Sequence, residues 1–363
     1  MNNKNVSIVV PTYKEAKNIP VLVKEIDEAL NNRYQYEIII IDDNSQDGID
    51  KEVQILQDNK YNVKLKIRTD ERGLSSAVIA GLKMATGDLF LVMDADLSHP
   101  PEKVPELLDR ITENGADFVI GSRFVEGGGA AHFNWFRKLN AGVSKLLARP
   151  LTKATDPMAG FFAFPKHIIE GKYETLNPLG WKIGLEISVK CTPKNLQEVP
   201  IQFKERLHGE SKLSLKEQIN YLIHIKRLFE FKYESFSELI KFGLTGCSGI
   251  IVNLFFVFIA FDLAGLNYKL ALVIGFIIAL TTNFLINRKF TFTHTHKGDF
   301  FKQYTGFFIT CLIGFAINWV ISVYLFEHIQ FFHSYYLLTT FIGIVCGMAF
   351  NFIGSKFIVF KKL

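Results

Sequence analysis

Along the first two thirds of the chain, short apolar runs alternate with stretches in which apolar side chains recur every three or four positions. Residues 6–10, 37–41, 63–68, 89–93 and 118–120 are runs of the kind that fill buried strands. Residues 19–30 and 73–84 carry the helical period. Most of these runs end on a polar cluster: Pro11-Thr12-Tyr13-Lys14-Glu15, Asp42-Asp43-Asn44-Ser45-Gln46-Asp47-Gly48, Asp94-Ala95-Asp96-Leu97-Ser98-His99-Pro100-Pro101 and Gly121-Ser122-Arg123. Alternating strand and helix predict an α/β fold with a doubly wound, mostly parallel sheet. Polar clusters at strand carboxyl ends predict a site along one edge of that sheet.

Beyond Lys241 the pattern changes. Stretches 242–261, 270–287, 303–326 and 328–355 contain no Asp, Glu, Lys or Arg, and each reaches or approaches the ~20 residues that span a bilayer core. A water-soluble bundle needs a charged outer face on each helix, so the pattern predicts an all-α domain of four transmembrane helices, about 242–262, 268–287, 303–326 and 334–356. Lys226, Arg227, Lys232 and Lys241 precede the first span. Arg288, Lys289, Lys297 and Lys302 lie between the second and third, and Lys356, Lys361 and Lys362 follow the fourth, whereas the opposite loops contribute only Lys269. That asymmetry predicts a multi-pass protein with its first domain and both termini in the cytoplasm. The first residues carry no long apolar core behind a basic head, so no cleaved signal peptide is expected. Asn283-Phe284-Leu285 through Arg288 to Phe292 is echoed by Asn351-Phe352-Ile353 through Lys356 to Phe360, as two helical hairpins of like topology would give. Between the halves, 213–239 mixes Leu, Ile, Tyr and Phe with basic residues and reads as amphipathic helices in the membrane interface. The expected organisation is a soluble domain over 1–212, the interface segment 213–239 and a membrane domain over 240–363.

A net charge of +5 with no Arg-rich, aromatic-interleaved patch argues against nucleic acid as a partner. Cys191, Cys247, Cys311 and Cys346 are far apart and read as packing residues. No Gly-x-Gly-x-x-Gly or P-loop pattern occurs, and Gly127-Gly128-Gly129, lacking the lysine and helix start, reads as a mobile loop. The candidate chemistry lies in Asp94 and Asp96. Two hard oxygen donors one residue apart at a strand's carboxyl end suit a divalent metal that also grips a diphosphate. His99, His132 and His208 do not have the spacing of a metal set, and His99 reads as shaping its turn.

Val-Pro-Thr-Tyr-Lys-Glu at 10–15, Asp-Asp-Asn-Ser at 42–45, Asp-Ala-Asp at 94–96 and Gly-Ser-Arg at 121–123 together resemble the inverting glycosyltransferases of family 2, with the nucleotide-diphospho-sugar transferase (GT-A) fold. Asp-Ala-Asp-Leu-Ser-His-Pro-Pro, Gly-Trp-Lys-Ile-Gly-Leu-Glu at 180–186 and His-Gly-Glu-Ser-Lys-Leu at 208–213 look like dolichyl-phosphate mannose synthases. The last third resembles the four-span GtrA-like membrane family. The resemblance implies transfer of a hexose, mannose from GDP-mannose or else glucose or another sugar from a UDP donor, to a polyprenyl or dolichyl phosphate, with Mg²⁺ or Mn²⁺ as cofactor.

By motif position it implies that Pro11, Tyr13, Glu15, Asp42 and Asp43 contact the nucleotide, with Asp94, Ala95 and Asp96 completing the donor site. Asp94 and Asp96 are the implied metal ligands. Ser98, where membrane-bound relatives carry Gln, is a third, directly or through water. Lys182, Arg206 and Lys212 are implied for the diphosphate, and Arg123, Arg137 and Ser122 for the acceptor phosphate. Asp156 and Glu186 are implied as supporting residues. A processive polysaccharide synthase is disfavoured, because Gln-x-x-Arg-Trp is absent. A lipid-linked-sugar transporter is disfavoured because the spans hold no Asp, Glu, Lys or Arg.

Overall fold

The computed structural model describes residues 4–361 except 131–134, 205–214, 267, 294–297 and 335. The chain divides into two units, Met1–Lys232 and Tyr233–Leu363. In the first, strands β1 (Asn5–Thr12), β2 (Gln35–Asp42), β3 (Val63–Ile67), β4 (Leu89–Val92), β5 (Phe118–Ser122), β6 (Phe162–Pro165) and β7 (Leu196–Pro200) form one sheet in the order β3-β2-β1-β4-β6-β5-β7. Neighbours are parallel except β6, which runs antiparallel to both β4 and β5. The mostly parallel α/β sheet is thus as expected.

Helices α1 (Ile19–Leu30), α2 (Ile49–Asp58), α3 (Leu74–Met84), α4 (Val104–Thr112), α5 (Trp135–Ala148), α6 (Ile183–Lys190) and α7 (Leu215–Lys232) complete this unit. The strand period of two sends Leu89 and Leu91 into one core with Leu22, Ile26 and Leu107, while Phe90 and Val92 enter another with Val78, Leu82 and Ile187. Both faces of the central strands are therefore dry, which is why their sequences are continuous apolar runs. Gly127-Gly128-Gly129, expected to be mobile, is instead bonded in place. The Gly129 N–H donates to the Ile201 carbonyl, and the Gly129 carbonyl accepts from the Phe203 N–H, both at 2.9 Å.

The second unit holds α8 (Glu234–Phe258), α9 (Tyr268–Ile286), α10 (Phe300–His328), α11 (Gln330–Ser334) and α12 (Tyr336–Gly354). Helix α8 packs on α9 and α10 on α12, and both α9 and α12 run on into a π-helical turn, Asn287–Thr291 and Ser355–Val359. The sequence echo is a structural one. Phe242 lies 6.4 Å from Phe292 and 5.7 Å from Phe352; the matching Phe307 lies 6.2 Å from Phe360 and 5.8 Å from Phe284. Phe292 stacks on Phe360 at 4.8 Å, between the two halves of this pattern. Asn283 packs on Gly249 as Asn351 packs on Gly314, and Arg288 bonds Gln303 as Lys356 bonds Glu238. The unit is thus built from two hairpins with a two-fold-like relation. Among the described residues, Glu234–Asn253 and Phe300–Asn318 are long and apolar enough to cross a membrane, with only 28% and 22% of them buried.

Candidate active site

The strand order reverses between β1 and β4, and in open α/β sheets ligands bind outside the carboxyl ends of strands at such a switch point. The polar clusters after β1 and β4 sit on the two sides of that crevice. After β1, the Thr12 hydroxyl donates to Asp42 Oδ1 at 3.1 Å, and the Ser45 N–H donates to Asp42 Oδ2 at 2.8 Å. Ser45 Oγ donates to Asp42 and itself accepts from the Lys14 N–H at 2.8 Å, so Asp42 stitches the first two strand ends together. Lys14 takes a left-handed φ of 64°, which turns the chain sharply after Tyr13.

Asp43 is buried and ion-paired with buried Arg68, and it also accepts from the Gly73 N–H at 2.7 Å. Its carboxylate therefore fixes the loop from β3 to α3. That loop carries Arg72, whose guanidinium stands 5.6 Å from the Tyr13 ring centre. Arg72 is a candidate that the sequence reading missed; its signal is the one used elsewhere, a polar residue just past a strand's carboxyl end. Pro11 is buried in β1, Tyr13 and Glu15 are partly exposed at the crevice, and Ala95 is buried in the core beneath it.

Past β4, the Asp94 N–H donates to His99 Nδ1 at 3.1 Å, so His99 does shape this turn; it is buried, stacked on Phe161 at 5.3 Å. Asp96 Oδ1 accepts from the Ser98 N–H at 3.1 Å and from Ser98 Oγ at 2.6 Å. Leu97, held between them at a φ of 60°, occupies a conformation that costs about 1–3 kcal/mol and persists only where the surroundings enforce it. The Asp94 side chain keeps 31% of its exposure, whereas Asp96 is buried. A Cβ on Gly160 would stand 3.4 Å from both Asp94 oxygens, so the glycine leaves room at that carboxylate. Asp94, Asp96 and Ser98 are all hard oxygen donors, and no group of three His, Cys, Asp or Glu occurs among the described residues. That open set fits a Mg²⁺- or Mn²⁺-type ion whose shell is completed by substrate phosphates and water.

After β5, Arg123 is held by Asp156. The Arg123 N–H, Nε and Nη2 donate to that buried carboxylate at 3.1, 2.7 and 2.8 Å. Glu198 on β7 in turn accepts from the N–H groups of Thr155 and Asp156. Ser122 is fully buried, and its hydroxyl bonds Thr155 Oγ1 at 3.2 Å. The Lys182 ammonium donates to the Met158 carbonyl at 3.4 Å and feels the charges of Arg123, Asp94, Asp156 and Glu217. Burial first, and then the Arg123 charge, push the Lys182 amine down to about 8, although the residue retains some solvent exposure. The structure thus brings Asp94, Arg123, Asp156 and Lys182 together. Arg206, Lys212 and His208, together with His132 and the Arg137 side chain, lie outside the described residues.

Beside Lys182 opens a mainly apolar cavity of about 180 Å³, lined by Val143 and Leu147 of α5, Met158, Leu179, Trp181, and Tyr221 and Leu222 of α7. The outer faces of these helices are apolar too, with Trp135, Leu139, Val143 and Leu146 exposed on α5 and Ile219, Leu222 and Ile223 on α7.

Comparison with known proteins agrees with this geometry. Residues 7–171 match glycosyl transferase family 2, and 241–360 match the GtrA/DPMS transmembrane domain. A dolichol-phosphate mannosyltransferase of Pyrococcus furiosus is 43% identical over 74% of this chain and 75% of its own length. The chain belongs to glycosyl transferase family 2. Proteins of the same description from Saccharomyces cerevisiae and Mycosarcoma maydis are each 40% identical to this glycosyltransferase over 62% of its chain, covering 88% and 80% of theirs. A solved glucosyl-3-phosphoglycerate synthase from Mycobacterium tuberculosis shares 17% identity over 63% of this chain and 80% of its own, with a TM-score of 0.45. The glycosyltransferase is also a membrane protein, by its match to the transmembrane domain and its exposed apolar helices.

Proposed function

We propose that this glycosyltransferase transfers a hexose, mannose from GDP-mannose, to a polyprenyl or dolichyl phosphate at the cytoplasmic face of the membrane, with inversion to a β-linked lipid phosphate sugar. The observation that carries the reading is the mainly apolar cavity lined by Lys182, an ammonium that also feels the charges of Arg123 and Asp94, because it suits an acceptor with an anionic head and a hydrocarbon tail. The dolichol-phosphate mannosyltransferases at 43% and 40% identity support the sugar and the lipid.

In this reading Pro11, Tyr13, Glu15 and Asp42 receive the nucleotide. Asp43 acts by holding the loop that presents Arg72. Asp94 and Asp96, with Ser98 beside them, hold a divalent cation, which when bound neutralises charge on the departing nucleoside diphosphate. Lys182, Arg206 and Lys212 hold the diphosphate. Arg123, fixed by Asp156, holds the acceptor phosphate, with Arg137 near the lipid; Ser122, buried beneath, supports the Arg123 turn. The second pKa of a phosphate monoester is ~6, so near neutral pH the acceptor is largely dianionic and attacks the anomeric carbon without a general base. A single displacement then inverts the α-linked donor. The exposed apolar faces of α5 and α7 support a setting of this chemistry against the bilayer surface, with the tail staying in lipid. The basic flanks support a GtrA-like domain of four spans with both termini in the cytoplasm.

The test uses full-length protein in detergent with radiolabelled GDP-mannose or UDP-glucose and a polyprenyl phosphate. Label is expected in the lipid from GDP-mannose only, lost in EDTA and restored by Mg²⁺ or Mn²⁺, with a β linkage by NMR. Label from UDP-glucose alone overturns the donor, full activity in EDTA overturns the metal, and an α product overturns the single displacement.

A further inference from the structure

Glu186, fully buried on α6, accepts from three directions: the Asn177 N–H at 2.6 Å, Lys190 Nζ at 2.6 Å and His224 Nε2 at 2.9 Å. Burial alone would raise this carboxyl, and the bonds from His224, Lys190 and Asn177 outweigh it and hold it below the usual range. A carboxylate cannot donate, so His224 Nε2 carries the hydrogen of this bond. Nδ1 is buried and has no hydrogen-bond partner among the described residues, so the bond to Glu186 is what orients this 1%-exposed imidazole within its packing.

The transfer chemistry uses none of these groups directly, yet they join two parts of the site. Asn177 opens the turn that ends at Lys182, and the same turn is held by Ser75 Oγ, which donates to the Gly180 carbonyl at 2.7 Å. Helix α6 begins directly after Lys182. His224 comes from the middle of α7, which also ties to α5 through the Tyr221 hydroxyl and the Ser144 carbonyl at 2.7 Å. We propose that His224 and Glu186 are positioning residues that couple the seat of α7 to the placement of the Lys182 ammonium, so that the helix assigned to the bilayer surface sets the cationic side of the reaction site. This rests on the function proposed above for the importance of Lys182, and its physical core, the coupling, does not.

The experiment therefore has two arms, both on full-length protein in detergent. In the first, wild type, His224→Ala and His224→Gln are treated with an amine-acylating reagent at fixed pH, and Lys182 labelling is read by peptide mass spectrometry against Lys64. The Ala variant should label Lys182 about threefold or more faster, as an amine released from a buried setting does. The Gln variant, whose amide nitrogen replaces Nε2, should label like wild type. In the second arm, transfer from GDP-mannose to polyprenyl phosphate should fall about 10- to 100-fold in kcat for Ala and recover in Gln, the loss expected from a misplaced reacting group. Unchanged labelling and kcat in His224→Ala overturn the coupling, as does an equal loss in Ala and Gln. Where His224→Ala does not fold, the isosteric Glu186→Gln gives the same test. A labelling shift without any wild-type transfer supports the coupling and rejects the proposed function.

Discussion

At the scale of single residues, the site rests on two carboxylates that follow β4 and on a third, Asp156, that holds Arg123 through three hydrogen bonds. Asp94 and Asp96 announce themselves because an apolar run stops abruptly on them. Arg123 and Asp156, 33 residues apart, meet only because β6 runs antiparallel and returns its preceding loop to the edge where β5 ends. No local pattern encodes that return. The pairing changes what a substitution at Arg123 means. Arg123→Ala would strip a buried carboxylate of its cation, so it removes fold stability together with any acceptor contact. The cleaner probe is Arg123→Lys, which keeps the charge and loses the fork. It should lower kcat/KM for the lipid phosphate about 10-fold or more while donor affinity stays within about twofold; normal acceptor kinetics would remove Arg123 from the acceptor site. Lys182 gives a pH prediction. Its amine is held down to about 8, against 10.5 for an ordinary lysine, so its positive charge is present below that value and lost as pH rises through it. Donor affinity measured by calorimetry should fall from pH 7 to 9.5 in the wild type. In Lys182→Arg, whose charge does not titrate in that range, the profile should be flat. Parallel profiles would place Lys182 away from the diphosphate.

At the scale of elements, β1, β2 and β4 were legible because helices cover both faces of the sheet, so that residues 8–10, 38–41 and 89–92 are continuous apolar runs. β6 escapes because four residues ending in Pro165 carry too little period, and β7 because its side chains are half-exposed and mixed in character. Helix α5 was also missed, since its apolar row at Trp135, Leu139, Val143 and Leu146 faces outward rather than into a core. One stabilising cross-link is equally invisible in sequence. Glu37 on β2 accepts from Ser7 of β1 at 2.6 Å, from Lys64 of β3 at 2.6 Å and from Thr86, just before β4, at 2.8 Å. Burial alone would raise its carboxyl, but the bonds from Lys64, Ser7 and Thr86 outweigh it and hold it down to about 2. A depressed carboxyl contributes stability above its unfolded value of 4.5, and that contribution is lost as pH falls from there through about 2. Glu37→Gln should therefore cost on the order of 3 kcal/mol near neutral pH and progressively less toward pH 2, by denaturant melts of residues 1–232. A deficit independent of pH would mean that packing, not charge, is what Glu37 supplies.

At the scale of the whole molecule, two compact units carry separable tasks. Every donor-side residue on the sheet lies within Met1–Lys232, and that unit also contains α5 and α7 with their exposed apolar rows. The second unit is closed around its own aromatic centre, where Phe292 and Phe360 stack between two like hairpins, so its packing does not depend on the sheet. Residues 1–232 alone should accordingly fold and bind GDP-mannose with an affinity within about threefold of the full chain, since additivity holds for sites without shared partners. They should also float with vesicles containing anionic lipid, because the apolar rows on α5 and α7 bury into the acyl boundary while Lys138, Lys145 and Lys226 meet the headgroups. Leu139→Glu together with Leu146→Glu should abolish flotation and leave GDP-mannose binding intact, because both side chains are exposed, at 56% and 66%, and neither lines the cavity beside Lys182. Flotation unchanged in that double variant would move the membrane contact elsewhere. Loss of donor binding in a folded 1–232 would show that the hairpins complete the donor site, and would make the division between the two units structural only.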